Sequence, residues 1–265
     1  MMSDDDWVDG LVKFISRFDE EFCRAIEAAN EVEIDALEGA MRVDLPEVYR
    51  TYLRHMGRSD GGLFNGLRAD SRINKVAEYC VDLQSEFNDM TFERCIPFAV
   101  GDVYEGLGLQ VERDRENPPV VMLEDGRAGE YIAHSLPSFA YQRAFLYERA
   151  SLGVTAYWEN FRRGVGIPDV RSISAEIGFV EEWFSDDQLY CARGSSLLLL
   201  AYMGAPGRGL SIGVSGRDEK TVFEKGNVIL EIMCAGNFRR LTKEPTLSEV
   251  RAHGGAKMKV LREAD

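Results

Sequence analysis

Three histidines, His55, His134 and His253, are the first residues to test for chemistry. None stands in H-E-x-x-H or a comparable spacing that would turn two imidazoles toward one metal. Each therefore reads as a capping or packing residue. The chain contains no G-x-S-x-G, and GVSGR at 213–217 has the wrong spacing for a nucleophile elbow. GAPGRGLSIG at 204–213 is rich in glycine but lacks the Gly-Lys-Ser/Thr ending with which a phosphate loop holds phosphate and magnesium; it reads as a hairpin turn. Carboxylates are plentiful. Glu124-Asp125 falls at the tip of an expected hairpin, where acids are ordinary turn residues. VERDRE at 111–116 alternates charge along a surface segment. General acid–base work needs a carboxylate held in a pocket with a shifted pKa, and no spacing here points to one. The five cysteines, Cys23, Cys80, Cys95, Cys191 and Cys234, form no C-x-x-C pair, and their number is odd. They read as reduced packing residues rather than a disulfide framework or zinc knuckle. No metal, cofactor or catalytic residue is expected, and an enzyme is not favoured.

Charge is more informative than any motif. The formal net charge is −14. Residues 1–150 hold 30 acids against 16 bases, and residues 151–265 hold 15 of each. The N-terminal part thus carries all of the net charge. A polyanion would be repelled, so direct nucleic-acid binding is not expected there, whereas a basic partner is attracted. Hydrophobic residues make up 45% of the chain and aromatics 10%, which supports a packed core. MMSDDDWVDG has neither the basic nor the apolar part of a signal peptide. The longest apolar run, Leu197 to Met203, is far short of the roughly 20 residues that span a bilayer. A cytoplasmic protein without membrane contact is expected.

The elements that must position any site follow from periodicity. Trp7, Leu11, Phe14, Ile15, Phe18, Phe22 and Ile26 fall at helical spacing over 7–29. Ile34, Leu37 and Met41 form a shorter stripe. Asp44 suits a position just outside the next helix and Pro46 its first turn. Val48, Tyr49, Tyr52, Leu53 and Met56 make one buried face, and Gly57 a stop. Strand signals follow in 94–114 and in 118–135, with Asp125-Gly126 as a two-residue turn. A helix is expected from Ser138 through 164, then a linker at 164–168. A short helix is expected in SISAEIGFVEEWF at 172–184. Strands are expected in QLYCARG, SLLLLAYMG, GLSIGVSG and NVILEIMCAG, with Gly-rich turns between.

IDALEGAMRVDLPEVYRTYLRHMGRSDGG at 34–62 resembles the N-terminal signature of the SUKH superfamily. The matching positions are Ile34, Leu37, Glu38, Leu45, Pro46, Glu47, Tyr49, Leu53, Gly57, Gly61 and Gly62. IPFAVGD resembles a later strand-and-turn element through Ile96, Pro97, Phe98, Gly101 and Asp102. PPVVMLEDG followed by Ser138-Phe139 resembles its last strand pair and closing helix. The likeness spans roughly residues 20–150. It implies an α+β fold with helices packed on a mixed, mostly antiparallel sheet. A SUKH-like domain at 1–163 with its N-terminal helix would precede a C-terminal α+β extension or second small domain at 164–265, of unknown role. The family's recognisable positions imply structure, not catalysis. Many bacterial members resemble immunity proteins that neutralise a cognate toxin, often a nuclease; yeast relatives are scaffolds in cell-wall signalling. The resemblance therefore implies an immunity protein that occludes a basic toxin domain with an acidic surface, the alternative being an intracellular regulator or scaffold. Charge and expected exposure nominate Asp82, Glu86, Asp89, Asp102, Glu105, Glu112 and Glu124 as contacts.

Overall fold

The computed structural model describes residues 6–64, 67, 69–87, 90–101, 105–160, 166–203, 209–232 and 238–242. Their contacts divide into two units between Ala144 and Phe145. The division falls inside a helix, whereas the expected boundary is the linker after residue 163.

In the first unit, α1 (Asp6–Ser16) is amphipathic as its spacing demands, burying Trp7, Val8, Leu11 and Ile15. The helix expected to run to residue 29 is interrupted. The chain turns after Ser16, re-forms the short α2 (Phe22–Ala25), and enters β1 (Ile26–Glu27), which pairs with β2 (Ser59–Asp60). Asn30 then caps α3 (Glu31–Met41): its side chain accepts from Glu33 N while the Glu33 carboxylate accepts from Asn30 N. The next helix, α4 (Glu47–Met56), has Pro46 rather than Asp44 at its N-cap. It buries Val48, Tyr49, Tyr52, Leu53 and Met56, the face expected from spacing. Gly57 does end it, but in right-handed geometry (φ −66°). What calls for glycine there is room: a Cβ would stand 2.6 Å from Ala29 Cβ and 2.6 Å from Leu53 O.

α5 (Ile73–Glu86) packs on the first strand of an antiparallel sheet ordered β3 (Ile96–Val100), β4 (Glu105–Leu109), β5 (Val120–Glu124), β6 (Arg127–Ala133). The β5–β6 turn is the expected Asp125-Gly126 pair, with φ of 50° and 70°. Positive φ at both central residues is what a tight hairpin of the right twist requires. α6 (Leu136–Ser151) starts two residues before Ser138, with Ser135 Oγ accepting from Ser138 N.

The second unit holds a six-stranded antiparallel sheet in the order β12-β7-β11-β10-β9-β8. Its strands are β7 (Val154–Asn160), β8 (Val180–Glu181), β9 (Leu189–Arg193), β10 (Leu197–Met203), β11 (Leu210–Gly216) and β12 (Phe238–Thr242). Three expectations need correction here. The helix expected to run to 164 stops at Ser151, Gly153 turns the chain at φ +84°, and VTAYWEN becomes β7. The helix expected in 172–184 is α7 (Ile167–Glu176), and Val180 and Glu181 form the edge strand β8. NVILEIMCAG is not a strand. Through Ile232 it completes α8 (Glu219–Ile232), whose buried Val222, Gly226 and Ile229 keep helical spacing. A short apolar run fits either structure, and here the upstream turn at Asp218 decides. Its carboxylate accepts from Thr221 N at 2.7 Å and caps a helix. Leu197–Leu200, whose periodicity leaves strand and helix open, form a buried strand.

Candidate partner-binding surface

The three segments that carry the family likeness meet in one place. Tyr49 of α4, Phe98 of β3 and Phe139 of α6 join Tyr52 and Phe64 in an aromatic cluster. Ring centroids lie 5.4 Å apart for Phe64–Phe139, 5.9 Å for Phe64–Phe98, 6.2 Å for Phe98–Phe139 and 6.3 Å for Tyr49–Phe98. Ile34, Leu45, Leu53 and Ile96 are buried in the same unit. The glycine-rich exit is organised by Asp60. Its carboxylate accepts from Gly62 N at 2.8 Å, Phe64 N at 3.1 Å and Ser71 Oγ at 2.9 Å, and Tyr52 Oη donates to Ser71 Oγ at 3.0 Å. Gly61 and Gly62 take φ of +64° and +88°, which an L side chain rarely adopts. Pro97 and Gly101 complete the second segment, Pro97 in β3 and Gly101 just after it. The apolar ones among these positions are buried, whereas Gly61, Gly62 and Gly101 are half-buried.

Many of the acids in the first unit are engaged within the fold. On α3, Glu38 lies 2.6 Å from Arg50, Glu31 2.8 Å from both Arg50 and Arg54, and Glu33 2.9 Å from Arg58. Glu38 also accepts from Leu45 N at 2.8 Å, fixing the entry to α4. The Arg54 guanidinium holds the Glu31 carboxyl below the usual carboxylate range, and Arg58 does the same for Glu33, helped by the Asn30 amide.

The nominated contacts lie elsewhere. Asp82 and Glu86 are exposed on α5. Glu112 is exposed after β4, 3.7 Å from Arg94 and 3.2 Å from Gln110 Nε2. Glu124 is exposed at the end of β5, directly opposite Glu105 in the β4–β5 register. Asp89 and Asp102 lie outside the described residues, as does the side chain of Glu105. Of these acids Glu112 lines a groove of about 540 Å3, whereas Asp82, Glu86 and Glu124 are not among its lining residues. Its walls include Phe87, which follows Glu86, then Glu112, and Asp125, which follows Glu124. A Cβ on Gly126 would touch Leu83 at 2.7 Å, so the hairpin turn is pressed against the end of α5. Arg94 and Arg127 line the groove as well. The acidic surface is therefore broken by two guanidiniums, which residue spacing did not anticipate.

One pair has the look of nucleophilic chemistry. His134 Nε2 lies 2.8 Å from Ser138 Oγ, and Ser135 Oγ donates to Ser138 Oγ at 2.9 Å. Ser138 is fully buried and belongs to the capping turn of α6, so a substrate has no path to its hydroxyl. His55 is bonded through Nδ1 to Thr51 O at 2.9 Å. His253 and Cys234 lie outside the described residues. Burial pushes the thiols of Cys80 and Cys95 up to about 12 and that of Cys191 well above its ordinary value, which suits packing residues and not nucleophiles. Cys23, by contrast, is exposed. Among the described residues no group of His, Cys, Asp or Glu is arranged to hold a metal, and no helix is long and apolar enough to cross a membrane.

Comparison with known proteins agrees with this arrangement. Residues 28–142 match the SMI1 / KNR4 family (SUKH-1). Neither a curated protein nor a solved structure matches the chain. The matched span begins just before the Asn30 cap and ends three residues beyond Phe139, so it encloses all three aromatic segments. Residues 28–142 are thus similar to the SUKH superfamily, as the motifs in the sequence imply.

Proposed function

We propose that this protein is a non-catalytic binding module, an immunity protein that neutralises a cognate toxin by covering it with the acidic side of its first unit. The observation that carries this reading is the charge distribution: residues 1–150 hold the whole net charge of −14. The α3 acids are matched to Arg50 and Arg54 of α4 and to Arg58 just after it, so α5 and the β5–β6 turn would be the acidic edge offered to a partner. A basic toxin, such as a nuclease with a cationic phosphate-binding cleft, is steered to such an edge and blocked there without any bond being broken. Asp82, Glu86, Glu112 and Glu124 would form the contact, with Arg94 and Arg127 answering acids on the partner. Glu105, Asp89 and Asp102 belong to the same proposal.

The test is capture of partners from the native lysate by the tagged protein at about 50 and about 200 mM salt, followed by association kinetics with the retained protein. Retention of a basic toxin domain, and an association rate at least about tenfold slower for Asp82→Lys/Glu124→Lys, is the expected result. A tight complex indifferent to both salt and charge reversal would refute the acidic-edge assignment.

A further inference from the structure

Among the described residues the exposed large apolar side chains are Val32, Val81, Val180, Trp183 and Met203. Two of them stand three positions apart in the second unit: Val180 is 72% exposed and Trp183 55%. Trp183 is not loosely tethered. Its ring meets buried Phe184 edge-on at 5.6 Å, and Phe184 meets buried Phe145 at 5.9 Å. The indole is thus the outermost of three contacting rings that begin in the core. Val180 belongs to β8, the two-residue edge strand of the six-stranded sheet. The local sequence is acidic, since residues 176–187 contain five carboxylates and no Lys or Arg, although Asp186 among them is buried and Arg193 is the register partner of Val180. Arg171 answers only part of this charge, lying 3.0 Å from Glu181 and 3.7 Å from Asp187. Glu182 is bound by Arg193 at 2.8 Å.

We infer that Trp183 and Val180 form a docking surface for a cationic, amphipathic polypeptide segment. A rigid, exposed tryptophan is the side-chain type most often found carrying the energy of an interface, because it buries a large area at little entropic cost. The acids around it select the charge of what covers it: lysines or arginines flanking an apolar pocket match the surface, and an acidic segment is repelled. This site lies within the second unit and does not depend on the acidic edge of the first.

The tryptophan is also the reporter. Trp7 and Trp158 are buried at 3% and 1% exposure, so quenching by added ions reads Trp183. The probe is a short helical peptide with lysines on one face and leucines on the other, titrated into the full chain. The expected result is a blue shift of emission and protection from caesium quenching. By calorimetry, binding weakens at least about tenfold in Trp183→Ser and in Val180→Ser, with circular dichroism unchanged for at least one of the two. Asp82→Lys/Glu124→Lys leaves this binding intact, which separates it from the surface proposed for the first unit. The inference is overturned if the peptide gives no shift or if a serine-for-lysine peptide binds equally well. It is also overturned if the first-unit reversals abolish binding, or if sedimentation shows self-association lost in Trp183→Ser, which would make a second copy of the chain the occupant.

Discussion

Gly226 sits in the middle of α8, where helix propensity alone says that alanine should be better by about 1 kcal/mol. The structure reverses that sign. A Cβ at Gly226 would lie 1.9, 2.4 and 2.7 Å from three carbons of the Trp158 indole. Carbon atoms in good contact stand about 3.5–4.0 Å apart, so each approach is more than about 0.8 Å too short. The ring has little freedom to retreat. Trp158 is 1% exposed and its strand, β7, is held between β11 and β12, with Ile212 and Arg240 as its register partners. Overpacking by one carbon in a filled core costs typically about 1–3 kcal/mol, and this overlap belongs at the upper end. After the propensity gain is subtracted, Gly226→Ala should destabilise the second unit by about 2 kcal/mol, a fall in Tm on the order of 8–15 °C for a unit of this size. Near-UV circular dichroism during thermal unfolding follows the packed aromatics directly. The companion variant is Trp158→Leu, which removes the obstructing ring. In a double-mutant cycle Gly226→Ala should cost at least about 1 kcal/mol less when combined with Trp158→Leu than it does alone. A Gly226→Ala protein more stable than its parent, or a cycle with no coupling, would show that the helix and the indole do not meet as described.

Two further outcomes follow from the first unit. Glu31 and Glu33 have carboxyls held below the ordinary value of 4.5 by Arg54 and Arg58. Groups with depressed folded pKa values add stability above their unfolded pKa and lose it as pH falls through the folded value. Urea midpoints should therefore drop below about pH 4.5, and Glu31→Gln/Glu33→Gln should flatten that limb; an unchanged acid limb would mean that the ladder is fully screened. Tyr49 is fully buried, and its hydroxyl has no hydrogen-bond partner among the described residues. Tyr49→Phe should accordingly leave stability unchanged or raise it by about 1 kcal/mol in equilibrium urea unfolding, and a loss above about 1 kcal/mol would reveal a partner for that hydroxyl.

What the sequence disclosed about this fold depended on how local the cause was. The α4 face, the Asp125-Gly126 turn and the α+β class rest on neighbours within a few positions, and spacing displays them. α5 is equally legible, since Ile73, Val76, Tyr79, Cys80 and Leu83 are buried at helical spacing, yet the strand signals downstream of it are stronger and mask it. β7 and α8 escape a reading by apolar runs because their decisive residues, Gly153 and the Asp218–Thr221 cap, lie outside the runs themselves. The nominated acids show the harder limit. Composition reveals that a segment is acidic, but not that α4 arginines engage α3 while Arg94 and Arg127 interrupt the groove. Those pairings join residues far apart in the chain, where one-dimensional spacing carries no signal.

The arginine ladder between α3 and α4 has a further consequence, for how such a surface can change over generations. Each reversal on α3 sets a new positive charge against Arg50, Arg54 or Arg58, so it weakens the fold before it alters recognition. Asp82 and Glu124 form no ion pair among the described residues, so they can be exchanged at little cost in folding. The molecule therefore separates residues that must stay from residues that are free to vary. On the function proposed above, a lineage pursuing a changing partner could redraw α5 and the hairpin edge while the helical ladder keeps the domain folded.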